Sequence, residues 1–514
     1  MVFIRKTKIK GKTYLYLVTN KWIKGKVKQK FLAYLGKEDN LPKLLEEILP
    51  LKQLIKGELE NLSYSAPLEL LKIANEVEIP KLFSKHFVKA WGVDAGIAST
   101  LMMLNYCLES KSKNKLSEWY EQTYLKHLLK IHPSKLNSDL LYHTLDLYDE
   151  KKIEDLHKQI FQKAKEKFAL SDNITMYDVS ALFFEGDKCN LAKRGYNTEA
   201  LYKLQVNFGL AVTNEKFPIT HKTFEGNIKD VTTFDKMLNL LKKTIALEKT
   251  IFILDRGLFS EANIQKIINV NSSYILGMPK NSTIKKLILR IKDKQFKQMD
   301  EFTSSYEIND NKRTIIFWNK EIQKIQKQER EKKLKKIQQN LKELNPKNYR
   351  KKKIRLYEKV GEILGKYHKF FKADYEKFTF EIKEDEVKKA EMLDGKSVIE
   401  TNTNFSAQEI LQRYRDKNLI EMSFKDLKMF VDIRPIRHWK ENRVLAHVFL
   451  AVLAFGLRSL LELKLRRNNL QITAEEALQQ LGKVRVLCVK GKILRTTGET
   501  EITKKITQIL SKMD

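Results

Sequence analysis

The chain is short of cysteine, of proline and of acid. Its three cysteines, Cys107, Cys189 and Cys488, lie far apart in 514 residues and form no C-x-x-C pair or Cys/His cluster. That suggests neither a disulfide framework nor a zinc site, and it fits a reducing cytosol. Nine prolines and 19 glycines are spread without a low-complexity linker. No apolar run is clean enough to read as a membrane span. The most apolar segment, 444–461, carries His447 and Arg458 and reads as a buried helix. Residues 1–20 are basic but alternate apolar and polar, without the apolar stretch of a signal peptide. Acids number 64 against 97 Lys and Arg, a net charge of +33. Such an excess favours a polyanionic partner through counterion release, although a Lys-, Ile- and Asn-rich chain also reflects biased coding composition. With 42% hydrophobic residues, the chain is long enough for a large core and several domains.

Residues 1–36 alternate through FIRKTKIKGKTYLYLVTNKWIKGKVKQKFLAYLG, with Gly11 and Gly25 at turn positions. They read as a small basic antiparallel sheet, either a DNA contact or an exposed sheet whose lysines block edge pairing. Residues 41–165 have helical spacing throughout, from LPKLLEEILPLKQLIKGELE onward. His127, His132, His143 and His157 there read as surface or packing residues. Near Asn173 the period changes. ITMYDVSALFFEGD is a strand with Asp178 in its middle, and YKLQVNFGLAVT and FPITHKTFEGN are two more. The amphipathic stretch 231–249 is a helix, TIFILDRG an apolar strand ending in Asp255, EANIQKIINV a helix and SSYILGM a fifth strand. Three strands, helix, strand, helix, strand is the order of a ribonuclease-H-like core, an α/β fold. The final core helix is delayed by an insertion, which begins with strand-like TSSYEIND and RTIIFWNK. It continues as a charged helical hairpin, in which residues 321–360 hold 15 Lys/Arg against 5 Glu. That hairpin is either a solvated helical pair or a surface that clasps DNA.

The stretch FSAQEILQRYRDKNLIEMSFKDLKMF at 405–430 supplies the missing helix. Ser406 and Glu409 have the spacing of a capping box, with Phe405 and Ile410 at the staple positions. The absence of Pro or Gly before Pro435 allows about six continuous turns. At roughly 100° per residue, Lys417, Glu421 and Lys428 fall about 60°, 20° and 40° from Tyr414. Ile420, Phe424 and Leu427 form an adjacent apolar stripe. A solvated ridge of Glu/Lys pairs is the ordinary reading of such a face. The spacing Tyr-x2-Lys-x3-Glu-x6-Lys, however, resembles the Tyr/Arg/Glu/Lys signature of bacterial insertion-sequence transposases of the DDE type, with Lys417 in the Arg position.

The likeness extends over most of the chain. RGYNTEALYKLQVNFGLAVTNEKFPITHKTFEGNIKDVTTF, LDRGLFSEANI and IRPIRHWKENRVLAHVFL are similar to that family in order, and so is the Gly226-Asn227 and Asp230 pattern. A mid-strand Asp among apolar neighbours needs a counter-charge or a metal, whereas Asp-Arg-Gly after a strand also fits a turn or an ion pair. In the core the resemblance implies, the first and fourth strands are neighbours and the last helix lies across them. Asp178, Asp255 and Glu421 are then expected to converge as catalytic metal ligands. Oxygen-only ligands favour two Mg2+ ions, with Mn2+ as substitute, for in-line phosphoryl transfer. Tyr414, Lys417 and Lys428 would hold the scissile strand's phosphates. Arg256, Arg434 and Trp318 are further candidate DNA contacts, Trp318 by stacking on an extruded base, with core packing in TIIFW as the alternative.

The resemblance implies nicking at terminal inverted repeats, strand transfer into target DNA, and a homodimer in a synaptic complex on double-stranded DNA. It also implies a bacterial cytoplasmic protein, nucleoid-associated when DNA-bound, with no membrane partner. The expected organisation is a basic β-rich unit (1–40), a helical, end-binding domain (41–170) and a first core part (171–280). A basic insertion domain (281–404), a second core part with the Glu helix (405–465) and a C-terminal tail (466–514) complete it. A metal-dependent nuclease of the same fold and a non-catalytic DNA-binding relic are the alternatives. Terminal inverted repeats beside the coding region would separate the transposase from both.

Overall fold

The computed structural model describes residues 2–9, 12–23, 26–38, 59–87, 92–195, 203–309, 312–346 and 353–511. The helix expected from residue 41, the turns at Gly11 and Gly25 and part of the RGYNTEALYK motif lie outside them. Strands β1 (Val2–Ile9), β2 (Lys12–Ile23) and β3 (Lys26–Lys37) form an antiparallel sheet, as their alternation predicts. Its rings cluster on one face, with Tyr16 5.3 Å from Tyr34 and 5.8 Å from Phe31. Strand β4 (Leu59–Ser63) opens a run of seven α-helices among the described residues, from Ser65–Glu76 to Glu150–Phe168.

The period change at Asn173 marks the start of a ten-stranded mixed sheet. Strand β5 (Ile174–Phe183) lies inside it, between strands Leu204–Val212 and Ile251–Leu254. The short β6 (Lys193–Arg194) and β8 (Pro218–Glu225) both pair with β7 (Leu204–Val212), which runs antiparallel to β5. On the other side, β9 (Ile251–Leu254) is parallel to β5, and β10 (Ser273–Gly277) is parallel to β9. The first and fourth of the expected five strands are therefore neighbours. β5, β7 and β9 are rich in buried apolar residues because helices cover the sheet: Asp230–Thr244 packs on β8 and Asn418–Met429 on β5.

The inserted segment is more closely tied to the core than its position after the fifth strand implies. β11 (Lys297–Gln298), β12 (Thr303–Asn309) and β13 (Arg313–Asn319) extend the same sheet, joined to β10 through a later strand. Beyond β13 the chain leaves as helix Lys320–Glu343, which folds with helix Lys353–Leu364, β14 (Phe371–Asp374), β15 (Thr379–Ile382) and helix Glu384–Leu393. This lobe has its own core of Leu334, Ile337, Leu341, Val360, Leu364, Phe370 and Phe371. It returns as β16 (Lys396–Thr401), which fits between β10 and β13.

Helix Glu441–Arg467 is long and apolar enough to cross a membrane, yet 94% of its apolar window is buried inside the protein. It is the buried helix expected from the sequence. It packs on the helices 65–76, 95–108 and 138–146 and on β8. One apolar core thus runs from Ala66 to Leu510. At the chain's end β17 (Arg485–Val489) pairs with β4 and with β18 (Lys492–Thr497). Glu60 on β4 ties this junction: it is hydrogen-bonded to Lys126 and to His127 (2.6 Å), with Cys488 3.8 Å away. Sequence spacing hides this meeting of Cys and His, and the carboxylate's partner there is already an ammonium.

One buried ion pair fixes where the outer lobe stands. Arg330, in the helix leaving the sheet, makes a two-pronged pair with Asp394, just before β16, at 2.9 and 2.6 Å. Both are under 10% exposed, so breaking the pair strands a desolvated charge at a cost of about 3–5 kcal/mol. Arg330→Ala is expected to loosen the lobe alone. Trypsin should then cut between residues 320 and 364 several-fold faster while the sheet core melts as in the parent. Unchanged cleavage there would contradict this role.

Candidate active site

The site begins with a register. Tyr177 on β5 pairs with Leu254 on β9, so the next residues, Asp178 and Asp255, stand side by side about 5 Å apart along the sheet. Alternation turns both away from the face where Tyr177 is buried and donates to or accepts from Thr233 at 2.6 Å. β9 stops at Leu254 and turns through residues 256–258, which leaves Asp255 about a third exposed (31%) at the strand's mouth. Asp178 is half-buried and accepts the Val179 N–H at 2.8 Å. Burial, with Asp255 beside it, pushes its carboxyl up to about 7, against which the Val179 N–H and Lys417 pull. Asp230, at the first turn of helix 230–244, adds a fourth carboxyl, raised by burial.

The helix carrying the third expected acid is not continuous. It is two helices, Ala407–Arg415 and Asn418–Met429, with a break at Asp416 and Lys417. The capping box is as expected: Ser406 Oγ accepts from Glu409 N at 3.2 Å and Glu409 Oε2 accepts from Ser406 N at 3.0 Å. At the break the bonds tighten to Lys417 N–Tyr414 O, Leu419 N–Asp416 O and Ile420 N–Lys417 O, the i to i+3 pattern of a 3-10 turn. Packing is the cause, since the first helix rests on β10 and the second on β5. Neither Pro nor Gly marks the spot, so sequence carries no signal for it.

The break brings the signature residues inward. Lys417 is 8% exposed. Its Nζ lies 2.6 Å from Glu421 Oε1 and 3.5 Å from Asp255 Oδ1. Burial works against its charge, but Glu421 and Asp255 outweigh it and hold the ammonium above its usual range. The Tyr414 hydroxyl donates to the same Asp255 Oδ1 at 3.4 Å. It reaches there because residue 277 is glycine, where a Cβ would stand 2.0 Å from that hydroxyl. Burial, with Asp255 nearby, pushes the Tyr414 phenol up to about 12. Glu421 stays exposed (56%), while Ile420, Phe424 and Leu427 are buried as the stripe predicts.

Asp178, Asp255, Tyr414, Lys417 and Glu421 therefore meet in one place. Arg256 is exposed beside them, close enough to pull on the Tyr414 hydroxyl. Lys428 is half-buried two turns beyond Glu421 on the same helix. Arg434 is elsewhere: its guanidinium lies 4.9 Å over the Phe183 ring, at the end of β5 about 16 Å from Asp178. Trp318 is four strands from β5, about 19 Å across the sheet. It is half-buried against Phe296, donates to Gln323 at 3.1 Å and lies under Lys396, which is the packing alternative. Among the described tryptophan side chains it is Trp439 that is exposed, at 57%, with Lys188 5.8 Å over its ring. Asp230, Gly277 and Trp439 were not singled out as site residues, and only Asp230 has a sequence cue, the pattern after Gly226-Asn227.

The raised Asp178 carboxyl has a consequence for stability. A carboxyl whose folded pKa lies above its ordinary 3.8 adds stability below that value, and the stability is lost as pH rises through about 7. Asp178→Asn escapes this loss. In metal-free buffer the variant is expected to gain about 2 kcal/mol on the parent between pH 5 and pH 8 in urea unfolding. An identical difference at both pH values would contradict the burial of a charged Asp178.

A family model described as "Transposase DDE domain" matches residues 183–457, which include Asp255, the whole insertion and Glu421 and begin just past Asp178. Among solved structures, the chain is similar to a piggyBac transposase synaptic complex with hairpin DNA at 8% identity and a TM-score of 0.45, covering 81% of this chain and 79% of that one. A pre-cleavage Mos1 transpososome matches at 11% identity and a TM-score of 0.16, over 39% and 64% of the two chains. A Mos1 transposase paired-end complex matches at 12% and 0.16, over 39% and 62%. No curated protein matches the chain. Since the matched residues 183–457 make up more than half of its length, the chain belongs to the transposase DDE domain family.

Proposed function

We propose that the protein is the DDE transposase of a bacterial insertion sequence of the Tyr/Arg/Glu/Lys group. In this reading it binds the element's terminal inverted repeats, nicks them and joins the ends to target DNA. The observation that carries it is the meeting of Asp178, Asp255 and Glu421, from two adjacent strands and a helix, around the Lys417 ammonium. The central sheet is read as a ribonuclease-H-like core in which these acids are the catalytic set. The family supports a transposase, and the +33 charge supports a DNA partner.

The donor set fits a pair of hard divalent cations, Mg2+ with Mn2+ as substitute. Its ligating atoms are carboxylate oxygens, three carboxylates grouped around one ammonium. Asp178 would hold both ions, and Asp255 and Glu421 one each. When bound, such a pair activates a water or 3′-hydroxyl and stabilises the leaving oxygen of an in-line displacement.

The chain's own groups do the remaining work. Tyr414, Lys417 and Lys428 hold the phosphates of the scissile strand, Lys417 as a point charge where its relatives' Arg would grip with two prongs. Arg256 stands at the rim to steer the same strand. The lobe fixed by Arg330–Asp394 presents the lysine-rich helix 320–343 as a clasp for the duplex. A homodimer bringing two ends together in the nucleoid of the cytoplasm completes the reading.

The test uses a labelled duplex of the terminal repeat, a target plasmid and Mg2+. Asp178→Asn, Asp255→Asn and Glu421→Gln are each expected to lower nicking and joining by about 1,000-fold or more while end binding stays within about twofold. Cleavage without joining would identify a nuclease. Catalysis that survives the three substitutions would overturn the assignment.

A further inference from the structure

Lys417 was expected to face DNA, yet its ammonium is spent on the protein's own acids. It takes Glu421 Oε1 at 2.6 Å and Asp255 Oδ1 at 3.5 Å, and the Tyr414 hydroxyl shares the second oxygen at 3.4 Å. The side chain is held inward by the 3-10 break, at 8% exposure. Each outer acid thus has an oxygen already engaged by a donor of the chain. A cation bound to those oxygens cannot share them with an ammonium at hydrogen-bonding distance, because like charges repel strongly there. Lys417 leaves only if an anion receives it, since an unpaired buried ammonium is costly.

We infer that Lys417 is an exchangeable counter-cation that couples metal loading to DNA. Without DNA it occupies the Asp255–Glu421 side of the site and weakens divalent-metal binding. A phosphate of the scissile strand draws its ammonium away and frees both carboxylates, so DNA and metal strengthen each other's binding by the same factor. The device keeps a strand-cutting centre poorly loaded until a substrate phosphate is in place. It rests on the reading of Asp178, Asp255 and Glu421 as the metal ligands.

The experiment measures Mn2+ affinity of the full-length protein by titration calorimetry, with and without a duplex carrying the terminal repeat. The parent is expected to bind Mn2+ about tenfold more tightly with DNA. Lys417→Met should bind about tenfold more tightly than the parent without DNA and gain far less from adding it. Lys417→Arg, which keeps a cation, should behave as the parent, which separates the exchange from a folding defect. Lys425→Met, an exposed charge on the same helix, should change the affinity less than twofold. Parent-like affinity in Lys417→Met, or an equal gain in Lys425→Met, would overturn the exchange and leave the ligand assignment standing. Mn2+ binding unchanged in both Asp178→Asn and Glu421→Gln would overturn the ligand assignment itself and the exchange with it.

Discussion

The structure is organised around a repulsion. A single register, Tyr177 against Leu254, sets two aspartates side by side on the parallel pair β5 and β9. An acid helix folded over them adds a third carboxylate. Taking such charges out of water is unfavourable without a cation among them. The protein meets the demand in part with Lys417, which faces Glu421 and Asp255, while burial, with Asp255 beside it, holds the Asp178 carboxyl above its ordinary range. Three carboxylates around one ammonium are the physical reason to read the site as one that takes metal. A merely structural ion-pair network would be expected to close its charges more fully, with Glu421 under cover.

Much of the remaining architecture holds these groups still. The buried helix 441–467 joins the N-terminal helices to the sheet at β8 in one apolar core. Gly277 gives the Tyr414 hydroxyl room at Asp255, which anchors the first half of the acid helix to β10. The insertion does not hang from a loose tether. Its strands complete the central sheet, and Arg330–Asp394 sets the angle at which its lysine-rich helices leave. The lobe is thus fixed by a buried pair to the same sheet that carries the acids.

The order of strands and helices was legible because each core element keeps one period and has clear punctuation. Asp178 and Asp255 stood out because an acid in or ending an apolar strand violates that pattern. Glu421 was legible through its spacing from Tyr414 and Lys417. The helix break was not, because no Pro or Gly makes it; β10 and β5 make it by drawing the two halves to different strands. The inserted strands read as strands, but nothing local says that β16 lies between β10 and β13. Trp318 and Trp439 show the same limit: composition marks both as rings, and only tertiary packing covers one and exposes the other. The direction of Lys417 belongs here too, since helical spacing puts it on a ridge while the 3-10 turn brings it inside.

The central claim is that the carboxylates of Asp178, Asp255 and Glu421 form a divalent-metal centre whose internal cation is Lys417. Anomalous scattering from crystals of the DNA complex grown with Mn2+ tests it most directly. The account predicts anomalous density between Asp178, Asp255 and Glu421, with the Lys417 ammonium off Glu421 and on a phosphate. Crystals saturated with Mn2+ and DNA in which the three acids hold no metal and Lys417 still bridges Glu421 and Asp255 would contradict it.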